Sequence, residues 1–220
     1  MATRRIIRIS YFTLLTIVGG LIKIPVGTVA FTLQTLFVVL AGFVLGARDG
    51  MFSQLAYMII GLIGIPVFTQ GGGFGYIFMP SFGYIIGFVL GAFTAGLVMS
   101  RFSTVNTFKI WFAGIIALIP VYIVGMAYQV MILVFVNGLS FYAALVTLVN
   151  ILIYWAIDIV MIFIVSIIYP RLMSMMKLRA NNMSVSSDND NHSMGDEISA
   201  TLDGTDEKAS PRADKTEKQK

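Results

Sequence analysis

The sequence predicts an all-α integral membrane protein with six transmembrane helices, a glycine-rich outer loop and a disordered C-terminal tail. Three observations carry that expectation. The 220 residues are 57% hydrophobic and 12% charged, with a mean hydropathy of +0.86, too apolar for an ordinary soluble domain. The apolar residues gather into six runs, roughly 6–23, 33–46, 51–65, 83–100, 109–136 and 142–169. The cations between those runs fall almost entirely on one side of a six-span arrangement. The runs are continuously apolar rather than alternating, which points to helices and away from a barrel.

Segment one follows "MATRRIIRIS". No small-x-small cleavage site with a soluble domain behind it is present, so it reads as an uncleaved first span. It closes on "GLIKIPVG", and segment three closes on the similar "GLIGIPV". Pro25 and Pro66 cannot continue a helix without losing a hydrogen bond, so both mark stops. Segments two and three fall short of the ~20 residues that cross a ~30 Å core. They cross only if the membrane thins locally, if protein covers their ends, or if loop residues help. "GARDG", Gly46 to Gly50, is a tight turn between them. Segment five is long enough to tilt or to lie partly on the surface.

Charge sets the orientation. Arg4, Arg5, Arg8, Arg48, Arg101, Lys109, Arg171, Lys177 and Arg179 share one side, and Lys23 stands alone on the other. The positive-inside rule then places both termini in the cytoplasm of a multi-pass cell-membrane protein. From about Ala180 the chain turns polar, mixed in charge and free of aromatics, and cannot offset its own ordering entropy. The expected domains are a membrane domain over 1–179 and a disordered cytoplasmic tail over 180–220.

Several function classes drop out. There is no cysteine, and the only histidine, His192, lies in the tail. That removes thiol chemistry and histidine metal clusters. Asp158 is the only acid within the six segments, too few for a general acid–base pair, so no enzyme is expected. No GxxxxGK[ST] loop occurs, and no cofactor is expected. The net charge of +4 belongs to segment ends and the tail, without the basic face of a nucleic-acid binder.

Polar residues inside apolar segments are the candidate site. Gln34 opens segment two; Gln54 and Tyr57 share a face of segment three. Such amides either join helices or hydrogen-bond a neutral polar ligand. The outer loop "FTQGGGFGYIF" interleaves Gly71, Gly72, Gly73 and Gly75 with Phe74, Tyr76 and Phe78. It reads as a lid over a pocket or as a space-filling hairpin. Segment six carries Asn150, Tyr154 and Asp158 four apart, with Thr147 before them, on one helical face. A charge at membrane depth is expensive and faces a bundle interior or a cavity. The stripe therefore faces inward, to touch ligand or to bond a neighbouring helix.

"FTLQTLFVVLAGFVLGARDGMFSQLAYMIIGLIGIPVFTQGGGFG" followed by "PSFGYIIGF" resembles the BioY family, the biotin-specific substrate-binding (S) components of energy-coupling-factor transporters. The resemblance spans about residues 6–172 and is most specific over 24–92. It implies six membrane helices and a biotin pocket in the outer half, with membrane lipid around them. It also implies a transmembrane coupling protein and two cytosolic ATPases as partners. The pocket it implies draws on Asp158, Asn150, Tyr154, Tyr84, Gln34 and the glycine loop around Gly73, with Asp158 accepting from the ureido N–H groups. The family motif close to Pro-Gly-Asp-x-x-Lys reads "AIDIVM" here, so Met161 stands where lysine is expected, and Lys23 or a tyrosine is left to replace it. The Ala-x-x-x-Ala docking pattern of segment one is absent, with Thr16 and Gly20 as a substitute. The alternatives are an S component retuned to another small molecule and a membrane scaffold without a ligand.

Overall fold

Twenty residues without proline begin the chain, and they form helix α1, Ala2–Leu21. The computed structural model describes residues 2–175 apart from 27, 28, 103, 105, 150 and 152. The expectation of a disordered tail over 180–220 therefore lies outside the described residues, as does Asn150. α1 is two-faced. Ile7, Tyr11, Leu14, Val18 and Leu21 are exposed, while Phe12, Thr13 and Thr16 are buried.

β-branched and aromatic residues after α1 favour extended chain. They form a two-stranded antiparallel hairpin, β1 Lys23–Val26 and β2 Val29–Thr32, in which Lys23 pairs with Thr32 and Val26 with Val29. The sequence reading contained no strand here. Each strand has a free edge, which tolerates Pro25.

α2, Gln34–Leu45, and α3, Ala47–Leu62, are separated by Gly46. Its φ of +84° is a conformation side chains with a Cβ avoid. Both are short, as expected of segments two and three. α1 and α3 end at the leucines of their matching "GLI" triplets, Leu21 and Leu62. Between α3 and the next helix, Phe68 and Gly71 exchange backbone hydrogen bonds of 2.9 and 3.2 Å, and the Gly73 N–H donates to Gly61 O at 2.7 Å. A short 3-10 turn, Phe74–Phe78, follows.

α4, Phe82–Met99, packs through its small residues. A Cβ on Gly87 would meet the Val121 backbone at 2.8 Å, and one on Gly91 the Val121 side chain at 2.5 Å. Close backbone approach through glycine and alanine is how apolar helices gain contact where no hydrophobic drive separates them from lipid. α5, Thr107–Phe135, is capped by the Asn106 side chain, which accepts from Lys109 N–H at 2.9 Å, and contains Pro120. α6, Phe141–Thr147, is capped by Ser140. A turn at Leu148 then interrupts the single run expected over 142–169, and α7 runs Ile153–Met175.

By length and composition, α4, α5 and α7 are each able to cross a membrane, and α2 is a shorter apolar helix. Residues Met1–Arg171 form one compact unit, which holds every site residue described below. At the end opposite the hairpin, the Arg5 guanidinium donates to Asp49 Oδ1 from Nε at 2.8 Å and from Nη2 at 2.5 Å. Thr16 and Gly20 point into the bundle. Thr16 is fully buried and accepts from Gln54 Nε2 at 3.1 Å, and a Cβ on Gly20 would lie 2.6 Å from Gln34 Nε2. The small-residue pair proposed for docking is thus spent on internal packing.

Candidate functional site

Five helices, the hairpin and the glycine-loop segment converge on one cavity of about 610 Å³, counted with the open space at its mouth. Gln34 and Thr35 come from the first turn of α2, Tyr57 from α3, and Tyr84, Ile85 and Phe88 from α4. α5 contributes Val121 and Tyr122, and α7 contributes Tyr154 and Asp158. Thr32 closes the hairpin side, and Thr69, Tyr76 and Ser81 the loop side. Among the described residues, no lysine or arginine lines it.

Asp158 is 4% exposed. Its Oδ2 accepts the Tyr122 O–H at 2.7 Å, and Thr35 shares the cavity wall with it. The four-residue spacing of Tyr154 and Asp158 puts both on the cavity face of α7. A carboxylate so placed needs donors, and the Tyr122 hydroxyl supplies one where no cation does.

Two chains of the remaining polar groups end on backbone carbonyls. The Thr32 hydroxyl donates to Gln34 Oε1 at 3.2 Å. Gln34 Nε2 donates to the Tyr57 hydroxyl, which donates onward to Val67 O at 3.3 Å. On the other wall, the Tyr84 O–H meets Gln129 Oε1 at 3.0 Å, and Gln129 Nε2 donates to Thr147 Oγ1 at 3.3 Å. The Thr147 hydroxyl donates to Ala144 O at 2.6 Å. Tyr76 joins the hydroxyls of Thr69, at 2.8 Å, and Ser81, at 2.9 Å. Lys23 Nζ donates to Thr69 O at 2.7 Å, tying the hairpin to the glycine-loop segment beside the cavity.

Of the residues expected from the sequence, Asp158, Tyr154, Tyr84 and Gln34 come together at this cavity. Gly73 does not line it. With φ +101° it turns the chain into the 3-10 segment that carries Tyr76. Of the three aromatics interleaved with the glycines, only Tyr76 turns inward; Phe74 and Phe78 are exposed. Gln54 joins α3 to α1 rather than facing the cavity, while Tyr57, three residues on, lines it. Sequence reasoning missed Tyr122 and Gln129. They sit seven apart in α5, nearly two helical turns, and that shared face among aliphatic residues was the available signal. Met161 is not among the cavity residues.

A helical membrane-type bundle around a polar-walled pocket, closed at one end by a hairpin and a glycine-rich segment, defines a small-molecule binding component. The chain belongs to the BioY family, whose profile matches residues 1–178. A probable biotin transporter BioY of Lysinibacillus sphaericus is 48% identical over 127 residues, 58% of this chain and 65% of that protein. The biotin transporter BioY of Thermotoga maritima is 42% identical over 99 residues, 44% of this chain and 59% of the relative. The matches thus span about six tenths of these curated relatives. The crystal structure of the S component for biotin from an ECF-type ABC transporter superposes with a TM-score of 0.67 at 25% identity, covering 79% of this chain and 92% of that one.

Proposed function

We propose that this chain is the biotin-binding S component of an energy-coupling-factor uptake transporter. It crosses the membrane six times with both termini in the cytoplasm, and a coupling protein and two cytosolic ATPases energise it. Residues 1–179 form its membrane domain and 180–220 a cytoplasmic tail. The observation that carries this reading is the buried Asp158–Tyr122 pair in the cavity of a BioY-family chain. The two ureido N–H groups of biotin suit an acceptor of that kind. Asp158, Tyr154, Tyr84 and Gln34 contact the ligand, Asn150 joins them, and Gly73 holds the loop above. The fold likeness to a solved biotin S component supports the assignment. Clustering of Arg4, Arg5, Arg8, Arg48, Arg101, Lys109 and Arg171 away from Lys23 along the chain supports the orientation.

Equilibrium binding of radiolabelled biotin to purified wild type and Asp158→Asn tests the site. The variant is expected to bind at least about tenfold more weakly, about 1.5 kcal/mol for a lost charge-assisted hydrogen bond. Equal affinity removes Asp158 from the contact set.

One observation favours a second reading. Met161 stands where the family carries lysine, so a retuned S component would take a different small molecule. Competition of labelled biotin by a biotin precursor and by other vitamins separates the two: a competitor that outranks biotin establishes the second.

A further inference from the structure

Hydrogen-bond direction along the Tyr84 wall is fixed by a group that does not touch the cavity. Thr147 Oγ1 lies 2.6 Å from Ala144 O. A carbonyl only accepts, and two oxygens at that distance without a proton between them repel, so the Thr147 proton points at Ala144 O. Thr147 Oγ1 is then an acceptor toward Gln129, and the Gln129 amide must turn its NH2 that way, at 3.3 Å. The Gln129 carbonyl oxygen consequently faces Tyr84 at 3.0 Å, and the single phenolic proton of Tyr84 is committed to it. What Tyr84 has left for a ligand is lone pairs. Gln129 is fully buried, which holds the amide away from competing water.

Tyr122 is committed in the same sense, its proton going to Asp158. Tyr84 and Tyr122 stand edge to face, 6.2 Å between ring centroids. The two hydroxyls and the carboxylate thus present one acceptor surface.

We propose that Gln129 is a specificity-determining positioning residue: through the Tyr84–Gln129–Thr147 relay it makes Tyr84 an acceptor and selects ligands that offer N–H there. The proposal rests on the biotin-binding reading above and adds to it the origin of discrimination between an N–H and an isosteric oxygen. A site that hydrogen-bonds an N–H rejects the isostere lacking it far more strongly than it rejects a missing methylene.

The test uses the purified full chain and three ligands: biotin and its two cyclic-carbamate isosteres, each with one ureido N–H replaced by oxygen. Wild type is expected to prefer biotin over both by at least about 100-fold. Gln129→Met frees the Tyr84 proton to donate to a ring oxygen. The preference should fall at least about tenfold for one regioisomer and hold for the other. Thr147→Val, which removes an acceptor of the amide, should narrow the same preference, and it serves as the readout should Gln129→Met not fold. Tyr84→Phe should erase the effect of Gln129→Met. Parallel weakening for all three ligands, with preferences intact, would mean Gln129 only supports packing and overturns the proposal. Wild type that binds no biotin overturns the underlying functional reading, a result distinct from loss of the relay alone.

Discussion

Gly125 on α5 is where a single methyl group should be felt most clearly in the pocket. A Cβ there would lie 2.5 Å from Tyr84 Cε1 and 2.8 Å from Cγ. Carbon atoms rest at roughly 3.5–4.0 Å, so Gly125→Ala forces the Tyr84 ring back by about 1 Å. A displacement of that size breaks the 3.0 Å bond from Tyr84 to Gln129 and moves the edge-to-face contact with Tyr122. Overpacking of this kind costs about 1–3 kcal/mol, while alanine in a helix returns about 1 kcal/mol over glycine. Melting is therefore the poorer readout, and ligand affinity the sharper one. Biotin binding should weaken at least about tenfold, about 1.4 kcal/mol. Gly114→Ala is the control: it lies on the same helix, its Cβ would crowd Ile162, and neither residue lines the cavity. It should leave affinity within about twofold. Unchanged biotin affinity in Gly125→Ala, or equal losses in both variants, would refute the placement of Tyr84 in the wall.

Tyr122→Phe leaves the buried Asp158 carboxylate short of a donor, so the ligand-free protein should lose about 1–3 kcal/mol. Thermal unfolding should show the loss, and saturating biotin should recover part of it by supplying N–H in place of the phenol. Gly61→Ala places a methyl on the Phe68 ring, which packs on Tyr57 at 5.4 Å and Tyr76 at 4.6 Å. Melting temperature should fall with an overpacking cost of about 1–3 kcal/mol, and an unaltered melt would deny that the loop is clamped there. Lys23→Met removes the bond to Thr69 O. Biotin dissociation should quicken by at least about threefold in a chase assay, a modest exposed-site effect, with no change if the hairpin takes no part in closing the site.

The main spans were legible because their signals are local. Apolar length predicted α4, α5 and α7, and proline after the repeated "GLI" triplets predicted where α1 and α3 stop. Asp158 and Tyr154 were legible through helical spacing, since a charge in an apolar helix must face inward. The hairpin was not, because its strands are only four residues each, too short to show a period, and only backbone pairing brings them together. Thr32, Thr69 and Ser81 escaped for the same reason: backbone turns, not helical faces, bring them to the cavity. Thr16 and Gly20 were misjudged as a docking face. Small residues suit an internal contact as well as an external one, and only the burial of Thr16 against Gln54 decides between them.

The central claim is that the Asp158 cavity holds biotin. Equilibrium dialysis of the purified full chain against labelled biotin tests it most directly. The account predicts saturable binding of one biotin per chain, displaced by unlabelled biotin and weakened by Asp158→Asn. No saturable binding up to about 1 mM, a free energy of only about −4 kcal/mol, would contradict it.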